Sequence, residues 1–217
     1  MGVHQRVFPL FVGDRLSNRF LVVSNHPNAQ DPACAATIAT GNARVLAARF
    51  HDAKFFYAED RKRPLQAHGQ KLAGMQWIRG AGTMAEKTAR VGQIAEALAP
   101  VVGADPADAA RAGALAKADL ATQMVGEFPE LQGHVGRLLA ALDGEPGGVP
   151  LAIEEHYLPR FAGDGLPATP AGLAIALADR PDTLAHTFRL GLKPMGSAVP
   201  LGLRRAAGGL VALILGA

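Results

Sequence analysis

The sequence predicts a mainly α fold, a helical domain preceded by a short β-hairpin and a helical linker that read as the remnant of an upstream α+β domain. Three observations predict it. Two β-prone runs, residues 6–12 and 19–24, flank the turn-like Gly13-Asp14-Arg15. From Thr83 onward apolar residues recur at helical spacing, cut by Gly/Pro clusters at 144–150 and 163–170. A chain of 217 residues with 49% hydrophobic and 19% charged side chains can bury a sizeable core and is not disordered.

A lone hairpin is marginal, so it is expected to pack on a helix or to join a sheet whose other strands precede it. Asp31 as N-cap with Pro32 at the first helical position starts a helix, which Gly41-Asn42 is expected to interrupt. Leu46, Phe50, Ala53 and Tyr57 then form a second apolar face, ending in the charged run 59–63. Thr83 and Glu86 have capping-box spacing, with Val91, Ile94 and Leu98 behind them. Further helices are expected near 105–125, 131–142, 149–157, 170–188 and 201–215, with Pro181 kinking the fourth of these. The domain boundary is placed at 69/70, giving segments 1–69 and 70–217. The last eight residues, LVALILGA, are apolar all round, which is expected of a helix covered by further protein, so the natural chain is expected to continue.

The formal charge of +3 and pI near 9.3 permit a polyanionic partner without requiring one. Cys34 is the single cysteine, which excludes an internal disulfide or a multi-cysteine zinc site, and no basic-apolar signal segment opens the chain. With no apolar run of the ~18 residues a membrane span needs, a cytoplasmic setting is expected.

The most informative stretch is KADLATQMVGEFPELQG, residues 117–133. Asp119 falls inside the apolar stripe of Ala112, Leu115, Ala116 and Leu120. Burying a carboxylate there unpaired costs several kcal/mol, so it needs a cation, hydrogen-bond donors, a metal or a wet cleft. A second constellation is ALADRPDTL, 176–184: Asp179 and Asp182 share a face with Ile175, and Arg180 lies on the stripe of Leu173, Leu177 and Leu184. Packing of these two helices would face Asp119 and Asp179 into one cleft, with Lys117, Lys87, Arg180 or Arg90 as partners. Other candidates have plainer readings. His51-Asp52 reads as a surface pair, His134 and His156 as scaffold or surface histidines, and Trp77 as an anchor between linker and helical domain. Gly80-Ala81-Gly82 is a weak phosphate cradle, with no strand expected before it and no Lys-Ser/Thr after.

Aspartates on neighbouring helices resemble the HD superfamily of metal-dependent phosphohydrolases, whose histidines and aspartates hold a divalent ion that activates water. The chain departs from that pattern: Ala118 stands where the His before the Asp is needed, and residues 83–99 contain no His. A helical HD-like domain without the hydrolase is therefore expected. Across nearly its whole length the sequence also resembles the β subunit of bacterial heterotetrameric glycyl-tRNA synthetase. The resemblance rests on FLVVSN (20–25), GNARVLAARFHDAKFFYAEDR (41–61), GTMAEKTAR (82–90), the 117–133 stretch, EHYLPRF (155–161), ALADRPDTL and LRRAA (203–207). It departs from the family pattern at Ala43, at Ala198-Val199 and at Leu201.

The resemblance implies that an α subunit holds the site where ATP activates glycine, while the β subunit engages tRNA. This portion would be a degenerate HD-like domain and the end of the domain before it. It implies no catalytic residue, metal or cofactor here, ATP and Mg in the holoenzyme, and as partners the α subunit, glycine tRNA and the rest of the β subunit. Lys117, Asp119, Glu127, Glu130 and Gln132 carry over as motif positions, with Asp179, Arg180, Asp182, Arg204 and Arg205 as their neighbours in a polar network. Lys87, Arg90, Arg180, Arg204 and Arg205 are the expected tRNA contacts. The competing readings are a metal-dependent HD-type phosphohydrolase built on Asp119 and Asp179, and a purely structural connector.

Overall fold

The structure, a computed structural model, describes residues 7–192 and 202–216; Ala198, Val199 and Leu201 lie outside them. Residues 1–55 and 56–217 form two compact units.

In the first unit β1 (Val7–Val12) and β2 (Arg15–Val22) pair antiparallel, with Val7 opposite Val22 and Val12 opposite Arg15, so Gly13 and Asp14 make the turn. The hairpin is the expected one, but β2 begins before residue 19. Arg15 is drawn in by pairing with Val12, and Ser17 and Asn18 fall at the register shift between Pro9 and Phe11. Helix α1 (Pro32–Asp60) starts where predicted, with Asp31 Oδ1 accepting the Cys34 amide at 2.9 Å. The interruption expected at Gly41-Asn42 does not occur. A helical glycine costs about 1 kcal/mol relative to alanine, too little to break a long run of helix formers. Asn42 Nδ2 folds back onto Ile38 O at 2.9 Å. Within this unit Val7, Leu16 and Phe20 share an apolar cleft with Leu46 and Phe50.

The second unit opens with the end of α1 and α2 (Leu65–Gly69), followed by a 3-10 turn, Gln70–Gly74. A two-stranded ribbon follows, β3 (Gln76–Ile78) with β4 (Gly82–Thr83). This corrects the reading that no strand precedes Gly80-Ala81-Gly82: those residues close the ribbon. The helix after them, α3 (Met84–Val102), carries the expected capping box, so the Thr83 amide is already taken by Glu86 Oε2 at 2.7 Å.

The helix expected over 105–125 is broken. Its first part is α4 (Pro106–Leu115), followed by a 3-10 turn Ala118–Ala121 and α5 (Gln123–Glu127). Thr122 is extended and its Oγ1 accepts the Val125 amide at 3.2 Å. Asp60, buried at the end of α1, accepts the Gln123 and Met124 amides at 2.9 Å each. The chain turns here because Lys117 and Asp119 both need inward partners, which one straight helix cannot supply. A 3-10 turn, Pro129–Leu131, leads to α6 (His134–Leu142), then α7 (Val149–Glu155), α8 (Pro170–Arg189) and α9 (Leu203–Gly216). Helix α8 continues through Pro181.

The core is rich in alanine. Ala95 and Ala99 of α3, Ala109 and Ala112 of α4, and Ala174 and Ala178 of α8 are fully buried around Val91, Leu139, Ile153 and Ile175. Small side chains let the helices approach closely: a Cβ on Gly113 would stand 2.6 Å from Gly92 Cα. Large side chains there would force the axes apart.

Candidate functional site

Asp179, Asp182, Thr183 and His186 follow one another at helical spacing on α8, and α3 lies beside that face. Lys87 of α3 is 3% exposed and inserts its ammonium among them. Its Nζ donates to Asp182 Oδ2 at 3.1 Å and Thr183 Oγ1 at 2.8 Å, and meets Asp179 Oδ1 at 2.7 Å as an ion contact off the hydrogen-bond direction. Arg90, one turn along α3, grips Asp182 with Nε at 2.7 Å and Nη2 at 3.3 Å. Trp77 of β3 covers this end, its ring 4.3 Å from the Lys87 ammonium and 5.5 Å from the His186 ring.

The second oxygen of Asp179 belongs to Lys117, whose Nζ donates to Oδ2 at 3.0 Å and lies 2.7 Å from His156 Nε2. His156 Nδ1 is 2.6 Å from the carbonyl of Ile153, which can only accept. The proton is therefore on Nδ1, leaving Nε2 as acceptor for the ammonium. Burial, then the Lys117 charge, push His156 well below the usual imidazole range, which fits that neutral tautomer. Burial lowers Lys117 as well, and Asp179 works against it. For Asp179 burial acts upward, but Lys117 and then Lys87 outweigh it and hold the carboxyl far below the ordinary range. The Tyr157 ring lies 4.1 Å from the Lys117 ammonium and 3.9 Å from the His156 ring, closing the other side.

Arg180 points the opposite way. Its Nη1 donates to Ala176 O at 3.0 Å and His156 O at 3.3 Å, and its Nη2 to Leu158 O at 2.6 Å and Pro159 O at 3.2 Å. It thus neutralises the carbonyl end of α7 and pins the loop after it.

Asp119 is fully buried. Its Oδ2 accepts the amides of Gly133 at 2.6 Å and Gly136 at 3.1 Å, so it caps α6 from a distant part of the chain where the N-cap, Gly133, has no side chain to offer. Gly133 has φ +82° and no room for a Cβ, which would stand 2.7 Å from Tyr157 Cδ2. Burial raises the Asp119 carboxyl, partly offset by the Gly133 and Gly136 amides. Its Oδ1 and Tyr157 Oη are buried with no hydrogen-bond partner among the described residues.

The arrangement is a buried lattice of cations and carboxylates. Lys117 Nζ sits between Asp179 Oδ2 and His156 Nε2, and Asp119 Oδ2 is turned to backbone amides. No group of three or more His, Cys, Asp or Glu among the described residues is arranged to hold a metal ion.

The family described as glycyl-tRNA synthetase beta subunit matches residues 1–217. The chain belongs to the glycyl-tRNA synthetase β-subunit family. It is 47% identical over 216 residues to the glycine–tRNA ligase beta subunits of Xanthomonas campestris pv. campestris (strain B100), Neisseria gonorrhoeae (strain NCCP11945) and Janthinobacterium sp. (strain Marseille). Each alignment covers 99% of this chain but only 30% or 31% of the relative, so the chain spans less than a third of their length.

The stretches behind the family resemblance now have positions. Lys117, Asp179, Asp182, Lys87 and Arg90 meet in one network, and Asp119 lies beside it at the N-terminus of α6. Glu127, Glu130 and Gln132, carried over with them, are exposed and lie outside the buried cluster. Of the cations proposed for tRNA, Lys87 and Arg180 are buried and directed at protein acceptors, Arg90 is partly exposed and paired, and Arg204 and Arg205 are exposed on the first turn of α9. His51 and Asp52 are exposed. His134 lies near the surface beside Glu154, 3.1 Å away. His156, Tyr157 and Asp60 escaped the sequence reading as network members. The only signal for the first two was their place in EHYLPRF, and Asp60 was one member of the charged run 59–63. No helix among the described residues is long and apolar enough to cross a membrane.

Proposed function

We propose that this chain is the part of a glycine–tRNA ligase β subunit that supports tRNA recognition and subunit architecture, with no chemistry of its own. The observation that carries the reading is the segregation of cations. Lys87, Lys117 and Arg180 are consumed inside, where they fix how α3, α7 and α8 meet. Arg160, Arg204 and Arg205 are exposed and line one open cleft, where Arg160 is paired with Asp164. Exposed arginines suit phosphate oxygens, and a buried ion lattice suits a rigid support beneath them. In the complete enzyme the ATP- and magnesium-dependent activation of glycine belongs to the α subunit, and the substrates and partners are glycine tRNA, the α subunit and the rest of the β subunit. The internal lattice keeps an HD-like helical arrangement whose cation is supplied by a lysine.

The test is a titration of the assembled ligase with glycine tRNA and an unrelated tRNA at two salt concentrations. Each lost phosphate contact should reduce the log–log salt slope by about one. Weaker, less salt-dependent binding by Arg204→Glu and Arg205→Glu supports the reading. Unchanged affinity and slope in both variants would leave the architectural role alone. That role has independent support in the buried network and in the long-range helix caps made by Asp60 and Asp119.

A further inference from the structure

The cleft that Arg204 and Arg205 share with the 158–164 loop has features that phosphate binding does not require. It encloses about 420 Å³, at the lower end of the ~300–1,000 Å³ typical of small-molecule sites. One wall is the loop with Pro159, Arg160 and Phe161, and the other is α9, where Gly208 leaves a stretch without side chains. Nothing lies within 4 Å of the place where a Gly208 Cβ would stand. Phe161 is 62% exposed.

That exposure does not come from a slack loop. From below, Arg180 Nη2 holds the carbonyls of Leu158 and Pro159 at 2.6 and 3.2 Å. Across its mouth, Asp164 Oδ2 accepts the Arg160 amide at 2.9 Å and Arg160 Nε at 3.0 Å, while Asp164 Oδ1 accepts the Gly165 amide at 3.0 Å. Gly209, buried beside Gly208, lets Arg180 pass: a Cβ there would stand 2.7 Å from Arg180 Nε. The buried arginine therefore supports both walls. An aromatic ring displayed on a braced loop, sharing one cleft with a helix stretch that lacks side chains and with guanidinium groups, suits a flat π-system carrying a negative charge.

We propose that this cleft takes one unpaired nucleotide of the tRNA, with its base stacked on Phe161 and its phosphate between Arg160 and Arg205. Unpaired nucleotides are the ones whose faces are open to stacking, and the cleft is too small for a duplex. The inference rests on the tRNA-recognition reading above and adds a ring contact to the charged ones.

The experiment uses the complete ligase, α subunit with full-length β subunit, and measures the Kd for glycine tRNA at two salt concentrations. Phe161→Ala is expected to weaken binding by roughly 5- to 150-fold, the span of base–aromatic stacking. The salt slope should stay unchanged, because no charge is removed. Phe161→Trp should restore tight binding, whereas Arg205→Glu should flatten the slope by about one. Wild-type affinity in Phe161→Ala alongside a flattened slope in Arg205→Glu overturns the nucleotide cleft and leaves the tRNA reading standing. Wild-type affinity and slope in both variants overturn the two together. Loss of α–β assembly in Phe161→Ala, read by sedimentation, would make the cleft a protein contact and also overturn the proposal.

Discussion

Asp179 is the residue on which the network turns, since each of its oxygens faces a different lysine. Its side chain keeps 17% exposure, and those of Lys87 and Lys117 keep 4% and 7%, so the two ammonium groups are poorly solvated. Asp179→Asn would leave Lys87 and Lys117 facing each other without that counter-charge, and breaking a buried pair from one side costs about 3–5 kcal/mol. Urea unfolding should show a loss of that size, and Lys117→Met combined with Asp179→Leu should cost less than the two single changes added, because no charge is stranded. His156 makes a prediction in pH. Its folded-state pKa lies well below 6.5, so in the interval beneath 6.5 the unfolded chain binds the proton and the folded chain does not. Stability from this group is therefore complete above pH 6.5 and falls as the pH drops, by at most about 1.4 kcal/mol per unit. His156→Gln should lack that part of the slope between pH 6.5 and 5. Asp179 has the same sign at lower pH: its contribution is present above 3.8 and is lost on further acidification.

At the scale of elements, two devices replace a large apolar core. One is close helix approach through alanine and glycine, most extreme where α3 crosses α4. Gly113→Ala would press a methyl group to 2.6 Å from Gly92 Cα, with backbone on both sides and no flexible side chain to yield. The helices must separate, and a cost of about 1–3 kcal/mol in thermal or urea unfolding is expected. The other device is capping at a distance: Asp60 on α5, Asp119 on α6, and Glu155, whose Oε2 accepts the Thr169 amide at 2.9 Å at the start of α8. Local caps such as Thr83 with Glu86 and Asp31 with the Cys34 amide were legible in the sequence, because both partners lie within one turn. The remote caps were not, since nothing in the sequence around Gly133 announces that Asp119 will supply its acceptor.

For the whole molecule, Lys87, Lys117 and Arg180 are buried against protein acceptors while Arg204 and Arg205 are exposed, and the proposed function assigns the two sets separate tasks. Purified alone, it should form no glycyl-adenylate from glycine and ATP and release no phosphate from nucleotides, as followed by pyrophosphate exchange and phosphate assays. Adenylate formation by the isolated chain would contradict the proposed division of labour with the α subunit.

The sequence by itself determined the mainly α class, the hairpin, most helix starts and the family, because propensity, capping and a long specific motif are local or linear properties. It also singled out Asp119 and Asp179, since a carboxylate in an apolar stripe demands a partner wherever it is buried. Only the tertiary structure decided who those partners are. Lys117 and Lys87 converge on Asp179, backbone amides take Asp119, Arg180 serves the carbonyls after α7, and His156 joins unannounced. Pairing of buried charges depends on distances between helices far apart in the chain. At those separations residue type limits which contacts are possible, and packing selects the ones that form.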